Sequence, residues 1–278
     1  MNLRPALTCL LAVLVASACT SVPAPAERKA SAEETAIAAG MTPATIRTDR
    51  FDLYALIRSE PSPALLVVYI EGDGFAWERR DKRSDDPTPL NPVSLHLAVA
   101  DNAPAVAYLA RPCQFVATPR NCDSDLWTTA RYSEAVIAAT DEALDQLKAK
   151  TGATKLALVG YSGGGTVAAL AAARRSDVVW LKTVASPLDI AAFTNHHKVS
   201  PLAGSLNPAR DVAALTRLPQ IHYMGEDDDI VPPEINRAAI AQLDAEGCAE
   251  LRVLRDVEHG DGWRSAWPSL ADETPACR

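Results

Sequence analysis

Apolar runs alternate with amphipathic segments along most of the chain. Continuous apolar runs that end in small or polar residues are typical of strands buried on both faces, and ALLVVYIEGDG, KLALVG and QIHYMG have this form. Residues 124–150 instead carry apolar side chains at three- and four-residue spacing between Ser124 and Lys150, which predicts a helix. Strands that alternate with helices predict βαβ units and an α/β fold with a mostly parallel sheet.

The predicted elements follow one another without an internal repeat or linker. Strands are expected at 51–58, 64–74, 104–112, 155–160, 180–187, 220–225 and 250–257, and helices at 124–150, 164–175 and 233–247. Residues 188–219 are too few for a separate cap domain and too many for a simple turn. This segment is therefore expected to overhang a pocket.

Composition and charge narrow the class of protein. Of the 278 residues, 48% are apolar and 22% are charged, which is typical of a globular chain. The formal net charge of -8 argues against a nucleic-acid partner, because proteins that bind phosphate backbones need clustered lysines and arginines. One domain is expected at 43–278.

The first residues have the order of a secretory signal peptide, which we predict at 1–18. Arg4 precedes an apolar run that ends at Ala16 and is too short to span a membrane. The A-S-A before Cys19 fits plain export, while the same residues with Cys19 resemble a bacterial lipobox, whose cysteine would be lipidated. A lipobox usually has leucine where this chain has Ala16, and an uncleaved segment is a third alternative.

Export predicts a periplasmic protein or a lipoprotein anchored to the outer membrane. Residues 19–42, rich in alanine, proline and charge, are expected to form a tether or a helix before the fold begins. Export also changes how the later cysteines are interpreted, because an oxidising compartment favours disulfides.

Four cysteines follow Cys19 and allow three pairings. Sequence neighbours suggest that Cys113 pairs with Cys122 and Cys248 with Cys277, each pair closing a loop. The alternative is four free thiols. No close cysteine or histidine pair has metal-ligand spacing, so neither a metal nor a cofactor is expected.

A lone serine between glycines stands where a predicted strand meets a predicted helix. The stretch is Gly160-Tyr161-Ser162-Gly163-Gly164, a G-x-S-x-G pattern. A serine held in a strained turn leaves no room for β-carbons on the flanking chain, so glycine stands two residues before it and two after. The helix that follows offers N–H groups and a positive dipole end to an oxyanion. The pattern therefore predicts an exposed nucleophile at Ser162.

On this stretch the chain resembles the α/β-hydrolase superfamily, over roughly residues 43–270. The resemblance implies an α/β-hydrolase fold with helices on both faces of the sheet, and the chain order nucleophile, acid, histidine. Many members carry the acid in a G-x-x-D-x-x-V-P stretch, which corresponds to Asp228 in GEDDDIVPP; Asp227 and Asp229 are the alternatives. In EHGDGW, His259 follows the last predicted strand and is implied to be the base.

The resemblance also implies two backbone donors for an oxyanion. The first is the N–H of Gly163, after the nucleophile. The second belongs to the loop EGDGF, at Asp73 or Gly74, where many relatives have His-Gly and this chain has Glu71-Gly72. The alternative for this loop is a tight turn without a catalytic role.

These features predict an exported serine hydrolase that cleaves the carboxylic ester of a small-molecule acyl substrate through an acyl-enzyme. The same triad could act on an amide or peptide bond. A chain that kept the fold without catalysis would instead be an anchored binding protein. The sequence predicts neither the acyl-chain length nor the oligomeric state.

Overall fold

A computed structural model of the protein describes residues 22–278, so the predicted signal peptide at 1–18 and Cys19 lie outside the described residues. The strands are β1 (Thr42–Arg47), β2 (Asp52–Ser59), β3 (Leu65–Ile70), β4 (Trp77–Arg79), β5 (Lys82–Arg83), β6 (Ala105–Leu109), β7 (Lys155–Tyr161), β8 (Val178–Val184), β9 (Gln220–Gly225) and β10 (Ala249–Leu254).

Eight of these strands form one sheet, in the order β1-β2-β6-β3-β7-β8-β9-β10. β2 pairs antiparallel with β1 and with β6, and every other neighbouring pair is parallel. β4 and β5 form a separate hairpin. The predicted mostly parallel sheet is therefore confirmed.

Helices cover both faces of the sheet, as predicted. They are α1 (Pro25–Ala38), α2 (Val93–Ala100), α3 (Glu134–Thr151), α4 (Gly163–Ala172), α5 (Ile190–His196), α6 (Val212–Leu215), α7 (Pro233–Leu243) and α8 (Trp263–Ala266). Leu144 of α3 and Ile240 of α7 are buried in the core on one face. Leu97 of α2 and Trp263 of α8 are buried in the core on the other.

The helix predicted at 124–150 is wrong in its first part. Residues 124–127 form only a short 3-10 turn, and α3 begins at Glu134. Trp127 is buried and therefore continues the apolar spacing of the helix toward its N-terminus. It is buried, however, by contact with a loop and not as part of α3. Its indole N–H donates to the carbonyl of Ser84 at 3.2 Å.

The N-terminal part contributes a strand that the sequence pattern does not reveal. β1 reads TPATIR, and its one buried side chain is Ile46, yet it pairs along β2. Residues 19–42, expected to be a tether or a helix, are helical at 25–38, where Ala32 and Ala36 pack into the core.

The carboxyl ends of the parallel strands lead into loops, helices and the β4–β5 hairpin. Between β8 and β9 the chain forms only the short helices α5 and α6 and a 3-10 turn, so within residues 22–278 no cap domain is present. In the same part of the chain, no helix is both long enough and apolar enough to cross a membrane.

Candidate active site

Ser162 occupies a sharp turn between β7 and α4. Its φ of 50° is one that residues with a side chain rarely adopt. The Ser162 N–H donates to the Val184 carbonyl at 2.8 Å and holds the turn. A β-carbon at Gly160 would collide with the Gly164 carbonyl, and one at Gly164 would collide with the Ile70 carbonyl. The crossing of strand, turn and helix therefore requires glycine on both sides of the serine.

A hydrogen-bonded line joins Ser162, His259 and Asp228. Ser162 Oγ lies 3.0 Å from His259 Nε2, and His259 Nδ1 lies 2.9 Å from Asp228 Oδ2. A carboxylate on Nδ1 selects the tautomer that carries its proton there, so the Nε2 lone pair faces the serine hydroxyl. This arrangement can remove a proton from Ser162.

Asp228 alone of the three adjacent aspartates contacts His259. Its side chain is buried, whereas Asp227 and Asp229 are exposed. Asp228 Oδ1 also accepts from the N–H groups of Ile230 at 2.9 Å and Val231 at 2.7 Å. These bonds fix the orientation of the carboxylate toward the imidazole.

The loop that carries His259 is held by two aromatic side chains. The Tyr161 hydroxyl and the Trp263 indole N–H each donate to the His259 carbonyl at 3.0 Å. Burial raises the pKa of Tyr161 well above its ordinary value, which keeps the hydroxyl a donor. The sequence places Tyr161 beside the nucleophile but gives no sign of its bond to the histidine loop.

The backbone N–H groups near Ser162 that have no acceptor within residues 22–278 include those of Gly163, Asp73 and Gly74. Gly163 opens α4, where the helix dipole is positive. Asp73 and Gly74 line the same pocket as Ser162. The structure thus brings together the residues that the family resemblance implies for binding an oxyanion.

The Asp73 side chain belongs to a charged cluster that the sequence does not predict. Its carboxylate pairs with Arg111 at 3.2 Å and with Arg131 at 2.6 Å, and it accepts from the Tyr132 hydroxyl at 3.3 Å. Burial opposes the charge on Arg131, but the neighbouring carboxylate outweighs it and holds the pKa of Arg131 above its ordinary value. The carboxylate packs so closely on Gly163 that a β-carbon there would collide with it.

Glu71, at the position where the family resemblance implies histidine, is buried and lines the pocket. It accepts from its neighbour's amide, Gly72 N–H, at 2.9 Å and from the Tyr108 hydroxyl at 3.1 Å. Burial raises the pKa of Glu71 to about 7, although these donors work in the opposite direction. The bond to Gly72 fixes the peptide that leads into the Asp73–Gly74 loop.

The pocket beside Ser162 has a volume of about 220 Å³. Its lining residues are Glu71, Asp73, Gly74, Phe75, Pro89, Leu90, Asn91, Tyr161, Ser162 and His259. The segment 188–219, expected to overhang a pocket, contributes none of them. The rim is instead the segment 73–91, which follows β3.

Both predicted disulfides are present: Cys113–Cys122 and Cys248–Cys277. The first lies next to the site, because the side-chain amide of Gln114 donates to the Gly72 carbonyl at 3.0 Å. Among residues 22–278, no group of three or more His, Cys, Asp or Glu side chains is placed to hold a metal ion.

No protein-family model matches the sequence, and no curated protein is significantly similar to it. Solved structures resemble it in fold. An esterase of Pyrococcus furiosus gives a TM-score of 0.60 at 13% identity, covering 83% of this chain and 88% of that one. Naproxen esterase of Bacillus subtilis gives a TM-score of 0.59 at 11% identity, covering 91% of this chain and 97% of that one. An alpha-beta serine hydrolase homologue from Coxiella burnetii gives a TM-score of 0.55 at 16% identity, covering 83% of this chain and 94% of that one.

The chain has the α/β-hydrolase fold. In this fold the carboxyl ends of parallel strands meet at one edge of the sheet. Ser162 follows β7, Asp228 follows β9 and His259 follows β10, so side chains far apart in sequence converge there. Their chain order is the one that the α/β-hydrolase fold uses for nucleophile, acid and base.

Proposed function

We propose that this protein is an exported serine hydrolase that cleaves carboxylic esters through an acyl-enzyme. The observation that carries the proposal is the line of contacts from Ser162 Oγ through His259 to Asp228. A neutral serine is a weak nucleophile, and this line supplies a base in the required tautomer within hydrogen-bond reach.

The reaction begins when His259 Nε2 takes the Ser162 proton as Oγ bonds to the ester carbonyl carbon. The carbonyl oxygen becomes an oxyanion, which the N–H of Gly163 and an N–H of the Asp73–Gly74 loop stabilise. The intermediate collapses, the alcohol leaves with the proton from Nε2, and an acyl-Ser162 ester remains. His259 then activates a water molecule, which releases the acid and restores the serine.

An ester is favoured over an amide by the fold comparisons, in which two of the solved structures named above are esterases. At such low identity they support a shared fold, so the bond that is cleaved needs its own test. A matched pair of substrates with one acyl group, a p-nitrophenyl ester and a p-nitroanilide, separates the two activities. Hydrolysis of the anilide at a comparable kcat/KM would contradict the ester assignment.

The primary test is hydrolysis of p-nitrophenyl esters from acetate to palmitate by wild type and by Ser162→Ala. We expect the variant to lose on the order of 10⁶-fold in kcat, since removing the nucleophile abolishes the acyl-enzyme route. The series would also give the preferred acyl length. Full activity in Ser162→Ala would contradict the proposal, and a folded wild type that hydrolyses none of the esters would favour a binding protein.

The proposal of export rests on the predicted signal peptide and is supported by the two disulfides, which persist in oxidising compartments. Mass spectrometry of the mature N-terminus after expression in a Gram-negative host separates the two forms of export. A diacylglyceryl group on Cys19 would establish a lipoprotein, and an unmodified N-terminus at Cys19 would establish plain export. Retention of residues 1–18 would contradict both.

A further inference from the structure

The described chain begins beside the candidate active site. Val22 lines a groove of about 480 Å³ together with Phe75, and Phe75 also lines the pocket of Ser162. A second groove is shared by Pro23 and Leu90, and Leu90 is again part of the active-site pocket. The start of the described chain therefore flanks the mouth of the pocket.

α1 attaches this start firmly to the rim segment 73–91. The Arg28 guanidinium of α1 donates to the Thr88 carbonyl, lies 3.7 Å from the Asp86 carboxylate and stacks 5.7 Å from the Phe75 ring centre. Arg28 is buried by these contacts. These contacts hold α1 and the rim segment 73–91 together.

Several of the exposed apolar side chains lie near the pocket, although Ile37 and Val179 are exposed at the opposite edge of the sheet. Val22 is 54% exposed, Trp77 41% and Leu90 49%. Val199 and Ile230, also exposed, lie in loops that follow the carboxyl ends of β8 and β9. Large apolar side chains left in water around a pocket are typical of a surface that meets another apolar phase.

We propose that this face rests on a lipid bilayer, held there by an acyl anchor on Cys19, and that the ester substrate is one carried in that bilayer. The inference rests on the proposed function and on the predicted lipid anchor. Three residues of fully extended chain reach about 11 Å, so an anchor at Cys19 keeps Val22 and the pocket mouth close to the membrane. The substrate would enter from the membrane without crossing bulk water.

The charges on this face select the kind of bilayer. Arg79 and Lys82 of the β4–β5 hairpin pair with Asp81 and Glu78, and the chain has a formal net charge of -8. Attraction to anionic lipid is therefore not what holds the face in place. We expect association with neutral phosphatidylcholine bilayers that is insensitive to salt.

The two chain termini provide a sharp test because they lie at different edges of the sheet. Arg278 N–H donates to the Gly247 carbonyl at 2.8 Å, just before β10 begins, at the edge opposite the active site. A hexahistidine tag is placed either in place of residues 1–18, with Cys19→Ser, or after Arg278 of the same chain. Each protein is then bound at equal density to phosphatidylcholine vesicles that contain a nickel-chelating lipid.

The rates to compare are those on a long-chain resorufin ester dissolved in the vesicles and on water-soluble p-nitrophenyl acetate. We expect the N-terminally tethered protein to hydrolyse the vesicle ester about tenfold faster, because the tether raises the effective concentration of the pocket at the membrane. Both proteins should hydrolyse the soluble ester equally. Equal rates on the vesicle ester would overturn the inference and leave the proposed function intact, whereas no turnover of either ester would remove both.

Trp77 provides a readout that does not depend on activity. All five tryptophans lie within residues 22–278, and Trp77 is the exposed one among them. Brominated phosphatidylcholine should therefore quench tryptophan fluorescence of the N-terminally tethered protein, and Trp77→Phe should abolish the quenching. Equal quenching of the C-terminally tethered protein would contradict the proposed orientation.

A matched pair of surface variants tests the apolar contact itself. Val22→Ser and Val179→Ser each remove an exposed valine, but Val179 lies near the start of β8, at the edge of the sheet opposite the active site. Only Val22→Ser should lower the rate on the vesicle ester, with the rate on p-nitrophenyl acetate unchanged. Equal effects of the two substitutions would count against the bilayer contact.

Discussion

The two sides of Ser162 are built in different ways. On one side, the His259 imidazole contacts Ser162 and is oriented by the Asp228 carboxylate, each residue in a loop that follows a strand. On the other, the Asp73 carboxylate lies against Gly163 and is paired with two guanidinium groups from distant parts of the chain. In the proposed reaction, the first side moves a proton, and the second side surrounds the place where negative charge develops.

The two carboxylates of the site therefore differ in their contacts. Asp228 orients the imidazole of His259, whereas the charge of Asp73 is offset by two arginines. A free carboxylate beside a forming oxyanion would raise the barrier, because like charges repel most strongly where water is excluded. Arg111 and Arg131 offset that charge while Asp73 holds its loop in place.

The proton-transfer side should give the largest effect. We expect Asp228→Asn to lower kcat on the order of 10⁴-fold, since an amide no longer selects the required tautomer of His259. Asp227→Asn and Asp229→Asn are matched controls, because these exposed neighbours do not contact the imidazole. Ester hydrolysis by the three variants, with folding checked by circular dichroism, decides the assignment; a larger loss in either control would overturn it.

Removal of each disulfide should lower the stability of the protein by a different amount. Cys248 and Cys277 are 29 residues apart and Cys113 and Cys122 are 9 apart, so loop closure predicts losses of about 4 and about 3 kcal/mol for the paired serine variants. Because Gln114 contacts the Gly72 carbonyl beside Asp73 and Gly74, only the Cys113/Cys122 variant should also lose activity under folding conditions. Urea unfolding and ester hydrolysis measure both effects, and equal activity in the two variants would contradict the link to the loop.

Glu71 should make stability depend on pH. Its pKa of about 7 is raised in the folded state, so the stabilisation is present below the ordinary glutamate pKa and is lost as pH rises through about 7. The loss amounts to about 3 kcal/mol. Urea midpoints at pH 5 and pH 8 should differ less in Glu71→Gln than in wild type, whereas Glu60→Gln, at an exposed site, should behave as wild type. An unchanged pH dependence in Glu71→Gln would show that another group titrates.

The neutralised side should give the smallest effect. Arg131→Met leaves Asp73 with one guanidinium, and we expect kcat to fall about 10- to 100-fold with little change in KM. Adding Asp73→Asn should recover part of the loss, because it removes the unbalanced charge. Arg174→Met, which breaks an exposed pair with Glu134, is the control. No recovery in the double variant would indicate that Arg131 acts through packing alone.

The sequence predicts what short motifs and periodicity encode. Alternating strands and helices predict the parallel sheet, and G-x-S-x-G between strand and helix predicts the turn at Ser162. The sequence does not predict β1, because most of its residues are polar or exposed. The helix predicted at 124–150 begins too early, because Trp127 is buried by a loop contact and not by a helix face. For Asp73, the family resemblance implies a role for the backbone N–H, but the sequence does not predict the contacts of its side chain.

The partners of Asp73 and Glu71 depend on the folded chain. Arg111 and Arg131 lie 38 and 58 residues from Asp73, and no local spacing connects them. The same holds for the bond between Tyr161 and the His259 carbonyl, which spans 98 residues. Side-chain contacts over such distances are set by how the strands are ordered in the sheet, which a single sequence does not encode in any short pattern.

Labelling by a fluorophosphonate, followed by peptide mass spectrometry, tests whether Ser162 is an activated nucleophile. We expect a single phosphonyl group on the peptide that contains Ser162, and strongly reduced labelling in His259→Ala, because the base that activates the hydroxyl is gone. Labelling at a different residue, or none on folded wild type, would contradict the assignment of Ser162 as an activated nucleophile.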